Sequence, residues 1–168
     1  MPPFTVRSLP PDQLLAVYPL IREAVPTLDP AAWVRFARQL TSGKRTAHAG
    51  IVAAWRQGRN YPCGLFCYRV DHDLVRGKVL VAEHFVAVDL LDSQAVLTAL
   101  VGELESLAAR LECKAVRSVV HGANVEVRSG LSAAGHEPDG SLLLKPVMAH
   151  PPRVRHASRK AEAVAHHG

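Results

Sequence analysis

The sequence contains few cysteines, and their arrangement excludes two classes of protein. Its three cysteines, Cys63, Cys67 and Cys113, form an odd and sparse set among 168 residues, without the spacing of zinc ligands. Four strand residues span roughly 13 Å, which is too far for a disulfide between Cys63 and Cys67. We therefore interpret the cysteines as small buried apolar side chains, and neither a disulfide framework nor a zinc site is predicted.

Long apolar runs are also missing. No stretch approaches the run of about eighteen apolar residues that a transmembrane helix needs. Residues 1–7 lack the apolar run of a secretory signal. We therefore expect no membrane partner and a cytoplasmic location. Apolar residues make up 48% of the chain and charged residues 21%, which is typical of a folded globular protein.

Several catalytic and nucleotide-binding fingerprints are absent as well. The chain has no serine-histidine-acid pattern, no Walker loop, no dinucleotide-binding glycine motif and no internal repeat. Its folded part also has no His/Cys cluster at metal-ligand spacing, so no metal site is predicted.

Much of the positive charge lies at the C-terminal end. The formal net charge is +5, and residues 149–168 hold four basic side chains against one acidic side chain, Glu162. The same segment contains four histidines but no aromatic residue that could stack on bases. We interpret residues 1–148 as one domain and 149–168 as a disordered basic, histidine-containing tail. A nucleic-acid-binding or metal-binding arm is the alternative, although nucleic acid is not the expected partner.

Periodicity and turn residues predict an ordered series of strands and helices. The predicted elements are strand 4–9, helix 12–25, a helix from 30 to the Ser42-Gly43 turn, strands 51–55, 61–70 and 79–88, helix 93–111, strand 115–120, helix 125–134 and strand 141–147. A meander followed by a strand-helix-strand unit implies an α/β (α+β) fold with a mixed, mostly antiparallel sheet. We expect six or seven strands in this sheet and about four flanking helices.

This order of elements resembles the GNAT superfamily of acyl-CoA N-acyltransferases, over roughly Phe4 to Val147. Two local segments support the resemblance. One is the strand, loop and helix from Val79 to Leu111. The other is the segment from Asn124 to His136, where members of the family often have an asparagine, a short helix and then Gly-Phe.

The resemblance implies acetyl-CoA as co-substrate. In the family, one strand pairs through its backbone with the pantetheine arm, and the residues that match it here are Phe85, Val86, Ala87 and Val88. Backbone amides at the start of the next helix bind the pyrophosphate, and they correspond to Ser93, Gln94 and Ala95. Asn124 matches an asparagine that contacts the cofactor; a simple helix cap is the alternative.

The loop before that helix departs from the family pattern Gln/Arg-x-x-Gly-x-Gly/Ala. When the helix is aligned by its apolar face, Asp92, Ser93, Ala95 and Leu97 occupy the positions of the basic residue and the glycines. A carboxylate near a pyrophosphate is repulsive. A register two residues later recovers Gln94 and Ala99 but places Gly102 in the core face, so we prefer the apolar register.

Glu83 resembles the carboxylate that many family members use as catalytic base; the alternative is a salt-bridged strand residue. Strand alternation predicts that the next side chain, His84, points to the opposite face. The tyrosine that commonly serves as the acid is replaced by Leu131. The candidate substitutes are Tyr61, Tyr68, His121 and His136.

The favoured function is an acetyl-CoA-dependent N-acetyltransferase acting on an unidentified small-molecule or protein amine. The alternative is a catalytically inactive GNAT-like domain with an interaction or regulatory role. Basic residues around the second helix could favour an acidic acceptor or form a solvated face: Arg35, Arg38, Lys44 and Arg45. The oligomeric state is left open, a homodimer included.

Overall fold

A computed structural model describes residues 3–42, 48–89, 92–122 and 124–147. The predicted tail at 149–168 and two of the basic residues, Lys44 and Arg45, lie outside these ranges. The chain divides into two units, residues 1–137 and 138–168. The domain boundary that we place after residue 148 stays a prediction.

The first unit contains a five-stranded sheet and four α-helices among its described residues. The strands are β1 (Phe4–Ser8), β2 (Ala49–Arg56), β3 (Pro62–Asp73), β4 (Gly77–Ala87) and β5 (Ala115–Val119). The helices are α1 (Tyr18–Ala24), α2 (Pro30–Thr41), α3 (Ser93–Arg110) and α4 (Val125–Ala133). The prediction of about four helices is confirmed.

The strand order is β1-β2-β3-β4-β5. The first four strands are antiparallel to their neighbours, and β5 runs parallel to β4. A parallel pair needs a long crossover connection, and α3 supplies it. The predicted mixed, mostly antiparallel sheet is therefore confirmed, but the predicted count of six or seven strands is wrong.

The missing strand is the one predicted at residues 141–147. This stretch has no regular secondary structure, and the leucines at 142, 143 and 144 are at least 77% exposed. Consecutive leucines do not alternate, so a strand with one buried face would leave one of them on the wrong side. Pro146 also removes a backbone donor that a sheet ladder would use.

The helix predicted from Asp12 begins later than expected. A short 3-10 turn at Pro11–Gln13 comes first, and α1 begins only at Tyr18. Pro19 explains the difference, because a proline inside a helix lacks the amide hydrogen and clashes with the carbonyl four residues earlier. It is tolerated in the first turn, where α1 places it.

Helices cover both faces of the sheet, so alternate residues of the central strands enter two different cores. On one face, Val52 and Phe66 pack with Leu97 and Leu100 of α3. On the other face, Ile51 and other strand residues pack with side chains of α1 and α2. This face includes Trp33, whose ring nitrogen donates a hydrogen bond to the Leu14 carbonyl at 2.6 Å. The two-residue period of the strands thus supplies both cores.

The three cysteines are free thiols. Cys67 is buried, and burial raises the pKa of its thiol. Cys63 and Cys113 are half-buried and pack against the core on the α3 face. The interpretation of the cysteines as packing residues therefore agrees with their positions. Within the described ranges, no helix is long and apolar enough to cross a membrane.

Leu100 provides a test of the core on the α3 face, because its side chain is 0% exposed. Leu100→Ala should lower the free energy of unfolding by about 2–5 kcal/mol, through lost apolar burial and the cavity left behind. Urea denaturation measures the change. The matched control is Leu74→Ala in the turn after β3, where the leucine is fully exposed and the expected change is within about 0.5 kcal/mol. Equal effects of the two substitutions would contradict this packing.

Candidate functional site

The ladder between β4 and β5 ends before β4 does. Backbone pairing joins Val79–Glu83 to Ala115–Val119, and β4 continues to Ala87. Among the described residues, β5 provides no partner for β4 beyond Glu83. Within the part of the chain that the structure describes, the end of β4 therefore presents an unpaired strand edge on the side of β5.

The direction of the peptide groups in this part of β4 follows from its contact with β3. The Val88 amide donates a hydrogen bond to the Cys63 carbonyl at 2.7 Å. Alternate peptide groups along a strand face opposite edges, so the backbone groups of Val86 also face β3. Those of Phe85 and Ala87 face the unpaired edge. Of the four strand residues predicted to bind the cofactor, these two present their backbone groups to that edge.

A β-bulge lies where β4 leaves β5. The register between β3 and β4 shifts between Leu65 and Cys67, and β4 carries one extra residue there. His84 lies within the bulge with φ of +57°. A left-handed backbone at a residue other than glycine is strained, and such strain is concentrated at functional sites.

The bulge brings two neighbouring side chains to the same side of the strand. One potential ligand atom from each of Glu83, His84 and His121 lies within 4.8 Å of the other two. The prediction that Glu83 and His84 point to opposite faces is therefore wrong, because regular alternation fails at a bulge. His121, which we considered only as a substitute acid, follows β5 and joins the cluster from the neighbouring strand. We call these three residues the β4 bulge cluster.

The carboxylate of Glu83 makes two different contacts. Its Oε1 accepts a hydrogen bond from the Arg69 guanidinium at 2.7 Å. Its Oε2 lies 3.9 Å from His121 Nε2, and the Glu83 side chain is 20% exposed. Glu83 is thus salt-bridged, as the alternative interpretation held, while its second oxygen faces the imidazole.

Aromatic contacts surround His84. Its ring centroid lies 5.0 Å from that of His121, with 20° between the ring planes. Phe36 of α2 approaches edge-on at 5.5 Å. Burial lowers the pKa of His84, and the charges of His121 and Arg69 act in the same direction, whereas the Glu83 carboxylate opposes them. The lowered pKa favours the neutral imidazole, which offers a nitrogen lone pair.

Carboxylates occupy the start of α3. The Asp92 side chain accepts a hydrogen bond from the Ala95 amide at 2.9 Å and caps the helix. The Asp89 side chain accepts from the Asp92 amide at 3.1 Å and forms a two-bond salt bridge with Arg56. The predicted anion site at Ser93, Gln94 and Ala95 thus has one of its amides bonded to an aspartate.

The apolar face predicted for α3 is buried, whereas the alignment of this helix to the family loop stays a prediction. Leu97 is 2% exposed, whereas Gly102 faces solvent. Leu97 also fixes the approach of α4: a Cβ placed on Gly130 would lie 2.3 Å from Leu97 Cδ2. An alanine at position 130 would therefore force Leu97 to move.

The remaining candidate residues are not members of the β4 bulge cluster. The Asn124 side chain accepts from the Val127 amide at 3.1 Å and caps α4, as its alternative interpretation held. Leu131 is buried, Tyr61 is 79% exposed and Tyr68 belongs to the core on the α3 face. A shallow cleft of about 440 Å³ runs beside the first turns of α3 and does not include Glu83. It is lined by Pro3, Phe4, Asp92, Gln94, Ala95, Thr98 and Ala99.

The strain at His84 can be measured by comparing two substitutions that both remove the imidazole. His84→Gly should be more stable than His84→Ala by about 1 kcal/mol, because a left-handed backbone costs an L-residue about 1–2 kcal/mol and glycine nothing. Urea denaturation gives the difference. At His72, an exposed residue of β3 without positive φ, the order should reverse, because glycine weakens a strand. The same order at both positions would contradict the bulge geometry.

Comparisons with known proteins connect this arrangement to solved structures. No protein-family model and no curated protein matches the sequence. An aminoglycoside N-acetyltransferase solved in complex with CoA superposes with a TM-score of 0.71 at 15% identity, covering 87% of this chain and 95% of that one. Glucosamine-6-phosphate N-acetyltransferase from Arabidopsis thaliana superposes with a TM-score of 0.66 at 14% identity, and the match covers 85% of this chain and 97% of that one.

A third solved structure is the aminoglycoside 6'-N-acetyltransferase from Acinetobacter baumannii. It superposes on this chain with a TM-score of 0.68 at 17% identity, and the match covers 87% of this chain and 99% of that one. At such identities the likeness concerns architecture, and function has to be argued from the site. The chain therefore shares the fold of these solved N-acetyltransferases, which agrees with the resemblance of its sequence to the GNAT superfamily.

Proposed function

We propose that the chain is an acetyl-CoA-dependent N-acyltransferase whose reaction takes place where β4 separates from β5. The observation that supports the proposal is the unpaired edge of β4 beyond Glu83, with the β4 bulge cluster beside it. An unpaired strand edge suits an extended ligand that carries amide groups.

The pantetheine part of acetyl-CoA fits this edge. It is extended and contains two amide groups, and the backbone groups of Phe85 and Ala87 offer complementary donors and acceptors. An arm held there passes the end of the β4–β5 ladder at Glu83. The thioester then lies close to the β4 bulge cluster, where an amine can reach its carbonyl carbon.

The phosphate groups of acetyl-CoA fit the start of α3 less well than the pantetheine part fits the edge of β4. The amides of Ser93 and Gln94 begin α3, where the helix dipole favours an anion. The Asp92 carboxylate lies at the same helix start and repels a pyrophosphate. The charge of Asp89 is balanced by Arg56, which reduces the repulsion from that side. We therefore expect binding of acetyl-CoA that is weakened at its phosphates.

Acyl transfer at this position requires a proton acceptor. The amine nitrogen attacks the thioester carbonyl, the carbon–sulfur bond breaks, and the nitrogen loses a proton while the thiolate of CoA gains one. We assign the acceptor role to Glu83, since its Oε2 is free of the Arg69 contact. His84, adjacent and with a lowered pKa, is the competing assignment. The acceptor substrate is an amine, and Phe36 supplies an apolar wall beside it.

Binding of acetyl-CoA is the first test, and Asp92→Asn sharpens it. Acetyl-CoA at a hundredfold excess over its Kd should stabilise the fold by about 2.7 kcal/mol, seen as a raised Tm. The asparagine side chain in this variant can still accept a hydrogen bond from the Ala95 amide, so the cap remains while its charge is lost. Removing one nearby carboxylate should tighten binding by roughly 1 kcal/mol, about fivefold, in calorimetry at about 0.1 M salt.

The control is Glu105→Gln on the exposed side of α3. It removes the same charge about 20 Å further along the helix axis, beyond the screening length at about 0.1 M salt. It should leave the Kd unchanged. If acetyl-CoA neither raises the Tm nor binds in calorimetry, the inactive interaction domain becomes the better account.

Glu83→Gln tests the base. It should lower kcat by about 10²–10⁴-fold with any accepted amine, because the amide cannot take the proton, and leave the Kd of acetyl-CoA unchanged. Steady-state release of CoA measures the rate. The control is Glu103→Gln on α3, which also removes a glutamate from a salt bridge, here with Arg110. It should leave kcat unchanged. A larger loss in His84→Asn than in Glu83→Gln would assign the proton acceptor to the imidazole instead.

A further inference from the structure

The β4 bulge cluster has the composition of a metal site. Its three side chains offer two imidazole nitrogens and one carboxylate oxygen within 4.8 Å of one another. We propose that Glu83, His84 and His121 bind one zinc ion. This inference goes beyond the proposed acyl transfer and does not depend on it, because the ligands are the protein's own side chains.

The distances in the cluster are close to those of a zinc site. With zinc–nitrogen bonds of about 2.0–2.1 Å, an imidazole centroid lies about 3.2 Å from the ion, so two imidazoles at a tetrahedral angle have centroids about 5.2 Å apart. The centroids of His84 and His121 are 5.0 Å apart, although the two rings are stacked with 20° between their planes, so one of them has to rotate before both nitrogens face one ion. Neighbouring ligand atoms around zinc lie about 3.4 Å apart. The separation between Glu83 Oε2 and His121 Nε2 is 3.9 Å.

Two of the three ligands are held in position by the strand. The bulge directs Glu83 and His84 to the same side, and Arg69 holds Oε1 of the carboxylate. The hydrogen bond from Arg69 orients the carboxylate and leaves Oε2 for the metal. Asp71 forms a second salt bridge with Arg69 at 3.3 Å, which partly balances the positive charge of Arg69 beside the site. The third ligand, His121, is 48% exposed in the loop after β5. Its side chain can therefore rotate out of the stack on His84 and turn a ring nitrogen toward the ion.

The ligand types favour zinc over the harder cations. Magnesium and calcium prefer sites made of oxygen, whereas two imidazoles with one carboxylate are a recurring zinc set. Three protein ligands leave a fourth position for water or another small ligand. A bound zinc ion would also occupy Oε2 of Glu83, the atom to which we assign proton transfer. Zinc should therefore inhibit acyl transfer.

Zinc titration of the 168-residue chain, by calorimetry and by competition with a chromogenic chelator, tests the site. The tail histidines could bind zinc by themselves. The experiment therefore uses as its reference protein a variant of the same length in which all four are changed to asparagine: His150, His156, His166 and His167. We expect one zinc ion per chain. His121→Asn should weaken its binding at least about tenfold, as should Glu83→Gln, since each removes a ligand. His72→Asn, on exposed β3, should have no effect.

Cobalt(II) gives a second measurement that a structural side effect would not imitate. A four-coordinate site should produce the visible d–d bands of tetrahedral cobalt, and His121→Asn should abolish them. Because His121 is in an exposed loop, thermal melting should show that this variant remains folded. Equal zinc affinity in the reference protein, His121→Asn and Glu83→Gln would overturn the proposal, as would an absence of tetrahedral cobalt bands. Both measurements are made without acetyl-CoA, so failure of the acyltransferase proposal would leave them unaffected.

Discussion

The extra residue in β4 is the constraint on which the candidate site depends. With regular alternation, Glu83 and His84 would lie on opposite faces of the sheet, and each side chain would face a different core. The left-handed backbone at His84 cancels one step of that alternation. It does so at the level where β5 stops pairing with β4, so the unpaired strand edge and the paired side chains occur together. The β3–β4 ladder, which resumes beyond the bulge, holds this strained geometry in place.

Much of the fold could be predicted from the sequence because its signals were periodic. The apolar face of α3 and the β-branched run of β4 gave elements of the correct type close to their observed bounds. The errors came from single residues that override a pattern. Pro19 divides the first predicted helix, and the run of leucines at 142–144 looked like a strand although it lacks alternation. Neither effect is visible in a count of apolar residues.

The site was less predictable for a physical reason. Glu83 could be identified from its place in a strand, but its partners could not. His84 joins it only through a local backbone distortion, and His121 only because β5 runs beside β4. Ligands that come from two strands have no characteristic spacing in the sequence, so a search for metal motifs passes over them. The one available signal was the pair of neighbouring polar residues, Glu83 and His84, in an otherwise apolar strand.

The salt bridge between Arg56 and Asp89 restricts how the start of α3 can respond to a ligand. Arg56 is the last residue of β2, and its guanidinium donates two hydrogen bonds to the Asp89 carboxylate. The Asp89 carboxylate also accepts a hydrogen bond from the Asp92 amide. The side chain of Asp89 is 9% exposed, so water screens this contact weakly. Asp89 and Asp92 are thereby linked to the end of β2. The carboxylates of Asp89 and Asp92 therefore have fixed positions relative to the sheet, and an anion binding at the start of α3 would meet negative charge that is already in place.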